Sequence, residues 1–220
     1  MIRRHTCDED VAGWGLSRRA VLAGVLSLGI GLPALARTVR GLRQGEIGVL
    51  LTTALGPIEV AVDLAHAPIT AGDFLKYVDS GLFNGGAFYR TVRPDNDINP
   101  VKIDVIQGGL TDEKKLLPPI QHEPTNKTGL RHRNGTISVA RDKPGTGTAG
   151  EFFVCIGDQP ELDFGGGRNP DRQGFAAFGQ VVRGMGVVRA IWKSKTGAAY
   201  EGLAMQRLVP PIGIVSAKRT

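Results

Sequence analysis

Apolar positions along the chain fall in short runs that alternate with polar ones, and these runs are rich in Val, Ile, Thr and Phe. Clusters of Gly, Pro, Asn and Asp separate them, which is the pattern of antiparallel β-structure. Strands are predicted near Gly48 to Leu51, Ile58 to Asp63, Phe88 to Val92, Ile103 to Gln107, Gly135 to Val139, Glu151 to Ile156, Ala176 to Val181 and Ile212 to Ser216. That number is enough to close a barrel.

Two stretches break the period of two. After Pro68, Thr70 is placed to cap a helix in which Phe74, Leu75 and Val78 share a face, Asp73 lies in the first turn and Gly81 ends the element. From Met185 to Lys193, Val187, Val188, Ile191 and Trp192 recur at helical spacing, with Lys193 at the C-terminal end of the dipole. The expected fold is mainly β, a closed eight-stranded antiparallel barrel capped by two α-helices. Three irregular stretches remain: Arg93 to Lys102, the proline-bearing Leu110 to Asn134, and the Gly/Thr-rich Arg141 to Gly150. Loops of such length in a single domain tend to carry function.

The N-terminus reads as an address rather than as part of the barrel. Ser17-Arg18-Arg19 precedes the apolar run Val21 to Leu32, and Pro33-Ala34-Leu35-Ala36 supplies the small residues of a cleavage site. The paired arginines indicate the twin-arginine route, and the run is shorter than the ~20 residues of a spanning helix. Residues 1–36 are therefore expected to be a twin-arginine signal peptide and residues 37–220 a single domain. That domain would be periplasmic or secreted, with no stable membrane insertion after cleavage.

Charge narrows the choice of partners. The 220 residues carry a net +6, and leaving out Arg3, Arg4, Arg18, Arg19, Asp8, Glu9 and Asp10 lowers this to +5. Basic and acidic residues are interleaved, without the clustered stripe that nucleic acid requires. Cys7 leaves with the signal, so Cys155 cannot form an intramolecular disulfide and is expected in the core.

Several chemistries can be set aside. Gly145-Thr146-Gly147-Thr148-Ala149-Gly150 matches G-x-G-x-x-G, but a strand pattern, Glu151 to Cys155, follows where a phosphate-binding helix is required. His66, His122 and His132 lack zinc-ligand spacing, and there is neither C-x-x-C nor G-x-S-x-G. No metal or cofactor is expected.

A set of segments in fixed order carries a resemblance over about Gly48 to Val215. They are Phe88-Tyr89-Arg90, Val105-Ile106-Gln107-Gly108-Gly109, Gly135 to Arg141, Glu151 to Cys155, Glu161-Leu162-Asp163 and Phe175 to Gly179. Together they resemble the cyclophilins, the barrel-type peptidyl-prolyl isomerases. By that resemblance Arg90 is the catalytic arginine, and Gln107 contacts the substrate backbone. Phe153 forms the aromatic wall of the proline pocket, Leu162 and Val105 are further pocket residues, and Ala140 runs beside the bound peptide. Phe175 stands where the family has His or an aromatic residue. Substrates would be proline-containing polypeptides, and the protein is expected to be a monomer.

An arginine suits this reaction. The X-Pro amide resists rotation by ~18 to 20 kcal/mol because the nitrogen lone pair is delocalised. Twisting localises that pair, and a guanidinium over the prolyl nitrogen then donates a hydrogen bond that is strong only in the twisted state.

Two positions depart from the family pattern. Glu151 replaces a glutamine near the catalytic arginine and is expected to pair with Arg90, either holding or neutralising it. Asp104 falls where a pocket phenylalanine is usual, so Ile98 or Val101 is expected to supply the missing wall. These departures keep a second reading open, a cyclophilin-fold peptide-binding module or chaperone with little isomerase activity.

Overall fold

The alternating strands form a ring. In the computed structural model, which describes residues 41–200 and 203–220, the chain runs β1 (Glu46–Thr53), β2 (Gly56–Asp63), α1 (Pro68–Asp79), β3 (Ala87–Val92) and β4 (Val105–Gly109). It continues through α2 (Thr125–Thr128), β5 (Thr136–Val139), β6 (Glu151–Cys155), β7 (Ala176–Arg183), α3 (Met185–Trp192), β8 (Thr196–Tyr200) and β9 (Leu203–Arg219). Among the described residues, the hydrogen-bonded order β1-β2-β7-β5-β6-β4-β3-β9 returns to β1, closing eight antiparallel strands. Closure removes the exposed strand edges that would otherwise invite pairing with another chain. All eight predicted strands lie in this ring. β8 pairs with β9 outside it, a hairpin that the sequence reading missed. The segment read as an export signal lies outside the described residues.

Alternation decides which side chains fill the ring. Val49 and Leu51 of β1, Val60 and Val62 of β2, Phe152 and Val154 of β6 and Phe178 of β7 point inward and are fully buried. Phe74 of α1 packs edge-on to Phe152 at 5.7 Å and lies 5.0 Å from Phe178, so the helix adds its apolar face to the same core. Val188 and Ile191 of α3 are equally buried.

The start of α1 corrects the expected cap. Pro68 opens the helix at its first position, where a missing N–H costs nothing, and Ala67 stands at the cap without a side-chain bond. Glu123, from the Leu110 to Asn134 stretch, takes that role: its carboxylate accepts from the Thr70 amide at 2.7 Å, the Ile69 amide at 3.3 Å and the Thr70 hydroxyl at 2.7 Å. A negative charge there also complements the helix dipole. Asp73 lies beyond the first turn and is buried. The other end matches expectation: Gly81 adopts φ +67°, and the Gly81 and Leu82 amides bond back to Val78 and Tyr77 in a Schellman closure.

Asp73 ties this helix to the Gly/Thr-rich stretch. Its carboxylate accepts from the Thr148 hydroxyl at 2.8 Å and the Ala149 amide at 2.9 Å, and Tyr77 bonds the same hydroxyl at 2.7 Å. A segment that composition marks as loose is thereby held against the barrel.

Candidate active site

Part of the outer face of β4 and β6 is as apolar as the inner one. Strict alternation would leave the residues between Ile106, Phe152 and Val154 in water, yet Val105, Phe153 and Cys155 are buried in a second cluster with Val92, Ile103 and Leu162. A strand covered on both faces reads as one continuous apolar run, as Phe152 to Cys155 does. Burial also pushes the Cys155 thiol well above its ordinary pKa, leaving it an inert packing group. The segments 93–104 and 160–175 cover this outer face at its margins, and between them lies a groove of about 500 Å³.

Arg90 reaches the groove because β3 is bulged. Phe88 pairs with Gly108 but Arg90 pairs with Gln107, so Tyr89 is an extra residue opposite the bond between them. In an unbroken strand, positions 88 and 90 would share a face. The bulge instead sends Phe88 into the core, 5.8 Å from Phe152, while Tyr89 and Arg90 both emerge on the groove side. The glycine pair makes room for it: a Cβ at Gly108 would lie 2.7 Å from the Ala87 carbonyl oxygen and 2.8 Å from the Phe88 ring. Gly109 adopts φ +141°, a conformation that other residues rarely take.

A hydrogen-bonded network then sets the polar wall. Arg90 Nη1 donates to Gln107 Oε1 at 2.7 Å, and its Nε and Nη2 donate to Gln206 Oε1 at 2.9 and 2.7 Å. Gln107 Nε2 donates to the Tyr89 hydroxyl at 3.4 Å, which donates to Glu151 Oε1 at 3.1 Å. This relay connects Arg90 with Glu151 through Gln107 and Tyr89.

The apolar wall faces it. Phe153 meets Phe175 edge to face at 5.3 Å, and Arg141 lies over the Phe175 ring at 5.2 Å while its guanidinium binds Asp171 and the Gly174 carbonyl. Beneath Phe153, the His132 ring stacks at 5.9 Å. His132 is bonded through Nδ1 to Asp163 at 2.8 Å and through Nε2 to Ser138 at 3.0 Å. Burial lowers the His132 pKa against the pull of Asp163, so the ring is neutral at pH 7. Ser138 and His132 are both buried, which makes this Ser-His-Asp arrangement a floor and keeps it from acting as a nucleophile.

All eight residues singled out from the sequence line this one groove: Arg90, Val105, Gln107, Ala140, Glu151, Phe153, Leu162 and Phe175. They come from three strands and two connecting segments. An arginine held by carboxamides beside a pocket of aromatic and aliphatic side chains, on a closed antiparallel barrel, has the shape and chemistry expected from the motif order.

Comparison with known proteins agrees with this geometry. The sequence signature of the cyclophilin type peptidyl-prolyl cis-trans isomerase/CLD family matches residues 48–219. The chain belongs to that family. It is 36% identical over 206 residues to peptidyl-prolyl cis-trans isomerase A of Dickeya dadantii, covering 90% of this chain and 95% of the relative. A peptidyl-prolyl cis-trans isomerase of Streptomyces antibioticus is 35% identical over 176 residues, 77% of this chain and 96% of that one. In fold, it resembles the crystal structure of a Cryptosporidium parvum cyclophilin type peptidyl-prolyl cis-trans isomerase with a TM-score of 0.60 at 18% identity, covering 80% of this chain and 98% of the other.

Within this cyclophilin the pocket differs from expectation at one wall. Asp104 is absent from the groove lining, where Ile103 stands instead. Asp104 is partly buried away from the groove, and burial raises its pKa. Neither expected substitute serves, since Ile98 is 71% exposed and Val101 does not line the groove. The reason lies in the segment 93–102, which is ordered. Asp97 Oδ2 accepts from the Ile103 amide at 3.2 Å and from Arg168 Nη1 at 2.6 Å, and this buried anchor turns Ile103 inward. Gln206 was also missed, because it lies in the hairpin that the sequence reading overlooked, outside every segment of the resemblance. Among the described residues no group of three or more His, Cys, Asp or Glu side chains is placed to hold a metal ion.

Proposed function

We propose that this isomerase turns over X-Pro bonds in newly exported chains and so assists their folding in the periplasm, with Arg90 as the catalytic donor. The observation that carries the reading is the position of Arg90, fixed by two carboxamide oxygens at the rim of an apolar pocket. The prolyl ring fits against Phe153, Leu162, Val105 and Ile103, where burial contributes ~25 cal/mol per Å² of apolar surface. As the amide twists, its nitrogen regains a lone pair and accepts from the guanidinium. Held in advance by its two carboxamide partners, the guanidinium meets that lone pair without reorganising. No bond to carbon is made or broken, so no nucleophile or general base takes part. A solved cyclophilin-type relative from Cryptosporidium parvum was crystallised in the presence of the dipeptide Ala-Pro, which is in keeping with a proline-bearing ligand here.

The address is supported by the sequence Ser17-Arg18-Arg19 and the apolar run behind it. Exchange of an Ala-Pro peptide, followed by NMR, tests the chemistry: Arg90→Ala lowers the catalysed rate at least about tenfold with the fold intact. An unchanged rate removes Arg90 from the mechanism, and peptide binding without catalysis by the wild type establishes a binding module instead. Fractionation tests the address, since replacing Arg18-Arg19 by Lys-Lys strands the protein in the cytoplasm.

A further inference from the structure

The residue that holds the second edge of the Arg90 guanidinium comes from outside the family motifs. Gln206 lies on β9 and is buried, 1% exposed. Its Oε1 accepts from both Nε and Nη2 of Arg90, at 2.9 and 2.7 Å. Its Nε2 donates to the Asn96 carbonyl at 2.9 Å. The orientation of this carboxamide is forced, because arginine only donates and a backbone carbonyl only accepts.

Asn96 is itself fixed. Its Nδ2 donates to the Met205 carbonyl at 2.9 Å and the Thr91 carbonyl at 3.3 Å, and its Oδ1 accepts from the Arg93 amide at 2.7 Å. The segment that follows β3 and the strand that carries Gln206 are thus bound to each other on both sides of the contact. Arg93 extends the tie by donating to the Trp192 carbonyl at 3.0 Å and to Thr196 Oγ1 at 3.2 Å.

We infer that Gln206 is a positioning residue which fixes the plane of the Arg90 guanidinium, and that the 93–102 segment is the buttress that holds Gln206. Gln107 grips one nitrogen, a single contact that does not by itself stop rotation about it. A second acceptor bridging Nε and Nη2 removes that rotation. Both acceptors are neutral, so they orient the group without cancelling its charge. This inference rests on Arg90 being the catalytic donor.

The test reads Arg90 directly as well as through activity. In ¹⁵N-resolved NMR spectra, the Arg90 Nε–Hε signal is assigned by its loss in Arg90→Ala. In the wild type it is sharp and slow to exchange with water. In Gln206→Leu it broadens and exchanges faster, the fold remains, and kcat falls about ten- to a hundredfold with KM nearly unchanged, as expected when a reacting group is misplaced. In an Arg90→Lys background, which has no Nε–Nη2 edge to hold, Gln206→Leu lowers the residual rate no further. An unaltered Nε–Hε signal in Gln206→Leu overturns the inference, as does an equal loss of rate in both backgrounds. If Arg90→Ala keeps the wild-type rate while Gln206→Leu still loosens the signal, the positioning contact stands and the catalytic reading of Arg90 falls. Gln206→Asn, one methylene too short to reach both Arg90 and Asn96, reads the same contact should Gln206→Leu fail to fold.

Discussion

Tyr89 shows how one residue can place a site. Because it is the extra residue of a bulge, Phe88 enters the core and Arg90 faces the groove, with Gly108 leaving space for the displaced ring. The hydroxyl of Tyr89 joins Gln107 to Glu151, so the carboxylate at position 151 is coupled to the groove's polar wall. Replacing Glu151 by Gln keeps an acceptor for Tyr89 but removes a negative charge from the wall that carries Arg90. Opposite charges near a protein surface interact by a few kcal/mol at most, and only part of that opposes transfer of the guanidinium's attraction to the twisting amide. Glu151→Gln is therefore expected to raise kcat/KM for an Ala-Pro peptide by about two- to tenfold. Steady-state isomerase kinetics check this, and a fall in rate would make the carboxylate a supporting part of the site.

Elements that look peripheral support the groove through single buried side chains. From α1, Asp73 reaches Thr148 and Ala149, and Thr146, Gly147 and Thr148 form part of the groove lining. Asp73→Ala leaves the buried Ala149 amide unpaired, which costs ~1 to 3 kcal/mol. A domain of this size loses roughly 2 to 4 °C in Tm per kcal/mol. Calorimetry should show that loss, and hydrogen exchange should quicken at residues 146–149 more than in β1 or β2. The 93–102 segment acts in the same way. Its Asp97 sets Ile103 into the pocket and its Asn96 carries Gln206, so this irregular stretch fixes one residue of the apolar wall and steadies the polar one.

Across the molecule, the pocket rests on a buried neutral histidine, and this gives folding a pH dependence. Burial holds the His132 pKa below its ordinary value of about 6.5. The unfolded chain therefore binds a proton at a pH where the folded chain does not, and stability falls as pH drops below ~6.5. Asp163 reinforces the trend: burial opposes it, but hydrogen bonds from His132 hold its carboxyl below the ordinary value, so its contribution is lost at lower pH still. Tm measured from pH 7.5 to 4.5 should decline through this window, and His132→Asn should flatten the upper part of the decline. The barrel itself was legible in the chain because strand alternation and turn residues are local properties, and the ring shows the same eight strands. The eight groove residues were legible through the order of their motifs, since each motif keeps its own side-chain spacing. The Tyr89 bulge, the choice of Ile103 over Asp104, the capping of α1 by Glu123 and the grip of Gln206 on Arg90 depend on partners far away in sequence. Such contacts exist only once the ring has closed, and only the tertiary structure decided them.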